Sequence, residues 1–130
     1  MNRLTGFLLV FAVIVTGQVF ASDVEIVHTR FERGTAGSWQ VNTTLKHEDS
    51  GWSHYADAWR VVDENGKVLG TRTLFHPHEN EQPFTRGHTI QIPVGTTIVY
   101  VEAHDKVHGW SKQRVRVDLT KDKGDRFEVH

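Results

Sequence analysis

The sequence predicts an all-β domain, an immunoglobulin/fibronectin-III-like antiparallel β-sandwich of about seven strands. Three observations point there. Apolar and polar residues alternate with a period of two along much of the chain, and no stretch sustains a helical period. Turn signals recur roughly every eight to twelve residues, the spacing of short sandwich strands. The chain has no cysteine, so a core between two sheets, and no disulfide framework, must hold it together. Its 130 residues suffice for one domain and not two.

The first element is not part of that domain. Met1-Asn2-Arg3 carries one basic residue, a nearly unbroken apolar run covers 4–15, and a small residue follows at Ala21. This is the pattern of a secretory signal peptide. Cleavage is expected after Ala21, giving a signal over 1–21 and a single β-sandwich domain over 22–130. The run is shorter than the roughly 20 apolar residues of a spanning helix. No stable membrane anchor is therefore expected after cleavage, and the domain is expected to be periplasmic or secreted.

The first strand, 24–31, is mixed in pattern and reads as an edge. A turn over 32–37 leads to the clearest strand, where Trp39, Val41, Thr43 and Leu45 alternate with Gln40, Asn42, Thr44 and Lys46. That is a sheet with one wet face. The strand ends at His47, before a polar loop. In a third strand, 54–63, Tyr55, Asp57, Trp59 and Val61 share a face. Asn65-Gly66 is a strong hairpin signal, since both residues tolerate positive φ. It turns the chain into a fourth strand, 67–76. A long polar connection with Pro77 and Pro83 follows, then a short fifth strand, 88–92, and a turn at Pro93-Val94-Gly95. The sixth strand, 97–103, carries Val99, Val101 and Ala103 on one face and ends in a loop over 104–110. The seventh points Val115, Val117 and Leu119 inward. The charged tail, 121–130, is expected to fray.

This order concentrates the histidines. Alternate connections of an antiparallel sandwich lie at opposite poles. The 47–54, 76–88 and 104–111 segments share one pole and the Asn65-Gly66 and Pro93–Gly95 turns share the other. Of nine histidines, His47, His54, His76, His78, His88, His104 and His108 belong to the first pole and only His28 and His130 do not. Loops on a rigid scaffold are where binding sites sit. His76 precedes a proline and is expected to be extended, so His76 and His78 should project side by side. The expected metal ligands are His76, His78, His104 and His108, with His54 and His88 next. Glu79, Asp105 and Asp57 are expected as further ligands or as acceptors for ring N–H groups. Imidazoles without sulfur favour Cu(II), Zn(II) or Ni(II) over Cu(I), so the cofactor expected is Cu(II) or Zn(II).

The same pole gathers Trp52, Tyr55, Phe84 and Trp110. Trp52, Trp110, Phe84 and Arg86 therefore define an alternative, a metal-free module holding a glycan or a periplasmic or cell-surface protein. Arg86 is also expected to pair with Asp57. A third reading is a pH-responsive interface, because imidazoles charge as pH falls through about 6.5. The formal charge of −1 gives no basic excess for nucleic acid. No catalytic residue is expected. Ser50, Ser53 and Ser111 lack a nucleophile context, and nothing sets Glu79 and Glu81 apart in acidity.

The stretches Gly-Trp-Ser-His-Tyr-Ala-Asp-Ala-Trp (51–59), His-Pro-His-Glu-Asn-Glu-Gln-Pro-Phe-Thr-Arg (76–86) and Ala-His-Asp-Lys-Val-His-Gly-Trp (103–110) together resemble a group of small exported bacterial proteins of unknown function. The resemblance covers most of 22–130. It implies an exported bacterial domain and brings no activity, cofactor or catalytic residue with it.

Overall fold

The structure, a computed structural model, describes residues 23–130 together with Gly6 and Val10. The expected signal peptide thus lies almost wholly outside the described residues. Nine strands are found among the described residues: β1 (Glu25–Arg33), β2 (Ser38–Lys46), β3 (Ala56–Asp63), β4 (Val68–Thr73), β5 (Phe84–Gln91), β6 (Ile98–Asp105), β7 (Gly109–Asp118), β8 (Lys123–Gly124) and β9 (Phe127–Val129). They form two sheets, ordered β5-β2-β1-β9-β8 and β4-β3-β6-β7. All pairings are antiparallel except β1 with β9, which is parallel.

The period-2 pattern sets the inward faces. Val41 and Leu45 of β2, Phe31 of β1 and Phe84 and Ile90 of β5 meet Trp59 and Val61 of β3, Val99, Val101 and Ala103 of β6, and Val115 and Val117 of β7. Each fully buried aliphatic or aromatic side chain contributes about 1.5–3 kcal/mol relative to exposure. A buried polar pair inside the first sheet is satisfied, with Thr29 and Thr43 sharing a 3.0 Å hydroxyl hydrogen bond. Gln113 of β7 staples the sheets by accepting from the Ile26 amide at 2.8 Å and donating to the Ile26 carbonyl at 3.0 Å.

Several expectations are corrected. β1 is not an edge, since β2 flanks it on one side and β9 on the other. The tail does not fray. Its charged residues alternate with Phe127 and Val129, which are buried against the core as β9. β5 starts at Phe84 rather than His88. β4 ends at Thr73, short of His76. The loop expected over 104–110 shrinks to 106–108, because Asp105 pairs with Gly109. In the hairpin after β3 only Gly66 takes positive φ, at 81°, while the Asp63 carboxylate accepts from the Asn65 and Lys67 amides, each at 2.9 Å. A bulge between Ala56 and Ala58 changes which side chains share a face. Ala56 and Trp59 are both buried, so Asp57 does not share the Trp59 side.

The pole assignment holds for the strand ends. Leu45 lies opposite Phe84, Ala58 opposite Thr73, and Ala56 opposite Asp105. The connections after β2, β4 and β6 therefore leave the sandwich at one end.

Candidate metal centre

Two inward registers run past the last core residues and deliver polar groups to that end. On β2, Val41, Thr43 and Leu45 point inward, and two residues on comes His47, with its side chain fully buried. On β6 the series Val99, Val101, Ala103 continues to Asp105, also buried. The His47 Nε2 and an Asp105 carboxylate oxygen lie 3.4 Å apart.

The connection after β2 folds back on itself to add a third group. The Asp49 amide donates to the His47 carbonyl at 3.0 Å, Gly51 turns the chain at φ 105°, and the His54 amide donates to the Gly51 carbonyl at 3.2 Å. This sets the His54 ring edge-to-face against His47, centroids 5.0 Å apart. His54 Nε2 is buried and makes no hydrogen bond. Asp105 lies 3.7 Å from it, beyond hydrogen-bond reach.

His47, His54 and Asp105 each offer a ligand atom, and all three atoms lie within 4.8 Å of one another. Donors held about 2.0–2.2 Å from a tetrahedral first-row ion are roughly 3.3–3.6 Å apart. The 3.4 Å separation falls within that spacing and the 3.7 Å separation just above it. A buried imidazole nitrogen without a partner, facing a buried carboxylate, is what a metal would resolve.

Surrounding groups fix this trio. The Asp105 carboxylate accepts from the amides of Val107 at 2.8 Å and His108 at 2.6 Å, closing the 106–108 turn. The His108 ring donates to the same carboxylate at 3.0 Å. Burial opposes the charge on Asp105, but these amides and the His108 ring outweigh it and hold the carboxyl below its ordinary range. The Asp49 carboxylate, likewise buried, accepts from His47 Nδ1 at 2.6 Å, from the Ala56 amide at 3.0 Å and from the His78 amide at 2.7 Å.

Most of the other expected ligands lie elsewhere. His76 and His78 do project side by side, rings 4.5 Å apart. His78, however, stacks on Phe84 at 4.0 Å and its Nε2 accepts from the Arg86 guanidinium at 2.9 Å. That lone pair is taken, and burial, then Arg86 and His76, push His78 below its ordinary value, so it is neutral at pH 7. His108 does lie beside the trio: its Nδ1 bonds the Asp105 carboxylate and its ring sits 5.1 Å from that of His54. His88 sits within β5 opposite Val41, four residues up the strand from Phe84 and so away from the pole. Glu79 faces a separate cleft. Arg86 pairs with Glu81 at 3.4 Å and not with Asp57. Phe84 is buried beneath His78, whereas Trp52 is 65% and Trp110 38% exposed.

His104 is the clearest correction, and its reason is the pleat. Adjacent strand residues face opposite ways, so with Asp105 inward His104 must point outward. There it bonds Asp57 at 2.5 Å and meets the edge of Trp110, over which Arg60 stacks at 3.6 Å. His104→Ala is therefore expected to leave metal affinity within about twofold of wild type in a calorimetric titration, since the effect of a substitution with no shared partner is local. Two central residues, His47 and Asp49, were absent from the expected ligand set. The signal for His47 was the unbroken alternation from Trp39 onward.

A small all-β sandwich with one His/Asp-lined end is the class that fold and site define. No protein-family model matches the chain, and no solved structure does. A protein of Halomicrobium mukohataei described as "Putative lipoprotein" is 37% identical over 103 residues, covering 79% of this chain and 51% of that protein. The chain thus spans about half the length of the curated relative it matches.

Proposed function

We propose that this is an exported, non-catalytic metal-binding protein that holds one divalent transition-metal ion through His47, His54 and Asp105. The observation that carries this reading is the convergence of two imidazoles and a carboxylate at the buried end of the core, with His54 Nε2 lacking a hydrogen-bond partner. Nitrogen and oxygen donors without sulfur favour Zn(II) or Cu(II). Three protein ligands leave a coordination position for water or for a group on a recipient, which suits sequestration, delivery or sensing. Export is supported by the N-terminal pattern of residues 1–21 and by the description of the Halomicrobium relative as a lipoprotein. None of these 130 residues is a cysteine, so a thioether lipid is not part of the proposal. The arrangement of β1–β7, three strands facing four, supports an immunoglobulin/fibronectin-III-like type of sandwich.

The test is calorimetric titration of tag-free protein with Zn(II) and Cu(II) at neutral pH. The expected result is one-to-one binding tighter than about 1 μM, roughly −8.2 kcal/mol, with proton release and loss of binding in acid. Millimolar or non-stoichiometric binding would sink the reading.

A second reading has its own observation. Trp52, His76, Pro77, Glu79, Asn80 and Glu81 line an open cleft of about 490 Å³, within the usual size of small-ligand sites. An aromatic wall facing carboxylates and an amide suits a glycan or a polar partner segment. On that reading Trp52→Ala abolishes binding while His47 and His54 are dispensable.

A further inference from the structure

We infer that His78 is an acid-sensitive latch: while neutral it holds the connection after β4 closed against β5, and on taking up a proton it releases residues 76–82. The latch stands apart from the metal reading, since His78 is none of the three proposed ligands. Its charge follows from its contacts. The His78 ring is buried, stacked on Phe84 with centroids 4.0 Å apart and flanked by the His76 ring at 4.5 Å. Its Nε2 lies 2.9 Å from a guanidinium nitrogen of Arg86. A guanidinium has only N–H groups to offer, so Nε2 accepts and carries no proton. The single proton of the neutral ring sits on Nδ1, which is buried without a hydrogen-bond partner. The closed connection has no place for a second proton. Protonating Nε2 sets two donors against each other and puts a second cation beside Arg86.

The charges around the ring come from three segments. Burial, Arg86 of β5 and His76 of the same connection disfavour an imidazolium, whereas Asp49, 3.9 Å from Nδ1, and Glu81 favour it. The first group wins, and the ring is held below its ordinary value of 6.5. A released ring is back in water and regains that value. The released form therefore binds the proton that the closed form refuses. Closure is at full strength above about 6.5 and weakens as pH falls from there toward the lower closed-state value. Apart from the ring, the latch residue is held by its amide, which donates to Asp49 at 2.7 Å, and by its carbonyl, which accepts from Gln82 Nε2 at 2.8 Å. Arg86 already has a second partner in Glu81, at 3.4 Å. His76, His78, Glu79 and Glu81 line the Trp52 cleft, so release would dismantle one of its walls in acid.

The test is NMR of the histidine rings in tag-free, metal-free protein from pH 8 to 4, with amide exchange protection measured over the same range. His78 is expected to carry its proton on Nδ1 at pH 8 and to titrate below 6.5. Protection of the His78 amide is expected to fall by up to about tenfold for each pH unit below about 6.5. The amides of Val61 and Val101, on the central strands β3 and β6, should stay protected. His78→Gln keeps an acceptor for Arg86 but cannot charge, so its protection over 76–82 should not change with pH. An ordinary or raised His78 titration overturns the inference, as does an unchanged His78 amide. Loss of protection at 61, 78 and 101 together also overturns it, as does a His78→Gln protein that opens in acid like wild type. The wild-type measurements decide the matter even if His78→Gln does not fold.

Discussion

Replacing His47 with alanine is expected to abolish tight metal binding and to lower folding stability by about 3–5 kcal/mol. The two effects have one origin. His47 lies between the buried carboxylates of Asp49 and Asp105, at 2.6 and 3.4 Å. Removing the imidazole takes away the hydrogen-bond donor between two acids that water does not reach, and also leaves a cavity. Breaking a buried pair from one side is costly because the remaining charge stays desolvated. His54→Ala is the natural comparison. Its Nε2 makes no hydrogen bond, so binding should be lost at a much smaller stability cost. Denaturant unfolding of both variants beside wild type checks this. Equal stability losses would mean that His47 is not what holds the two carboxylates in place.

Asp105→Asn is expected to weaken metal binding at least 100-fold and to remove about 1.5–3 kcal/mol, the worth of hydrogen bonds to a charged acceptor. It should also change the response to acid. Burial raises the Asp105 pKa, but the amides of His108 and Val107 and the His108 ring lower it further, for a net value below the ordinary one. A carboxyl whose native pKa lies below its unfolded value of about 3.9 stabilises the fold above that pH. The contribution is lost as pH falls from there through the lower native value. Wild-type protein should therefore lose stability across that window more steeply than Asp105→Asn. Urea unfolding at a series of pH values down to about 2 reads this out, and parallel curves for the two proteins would refute it.

Much of this end of the molecule was legible in the alternation of β2 and β6. Val99, Val101 and Ala103 imply that Asp105 is inward and His104 outward, and Trp39 through Leu45 imply that His47 is inward. Counting histidines by loop gave the right pole, but it favoured His104 over its neighbour because it weighed residue type above strand phase. Other features were not readable locally. The Ala56–Ala58 bulge reverses the side on which Asp57 lies, and no residue in that stretch signals it. His78 looked like a ligand because nothing in the sequence says that Arg86, eight residues on, occupies its Nε2. The role of Asp49 depends on donors from β3 and from the connection after β4, which only the folded chain brings together. β9 was missed because three strand residues among charges do not stand out until β1 is there to pair with them.

That last pairing bears on the order of events when the chain folds. Phe31 lies beside Val129 in the parallel β1–β9 ladder, so the first described strand cannot complete its sheet until residues about 100 positions further on are available. Contacts so distant in sequence form slowly, because closing a long loop precedes any gain from the contact. Until then one edge of β1 stays open, while β2 and β5 can already assemble on its other side. A chain threaded through a membrane from its N-terminus would meet this constraint directly: it would remain pliable during passage and lock only when residues 127–129 emerged.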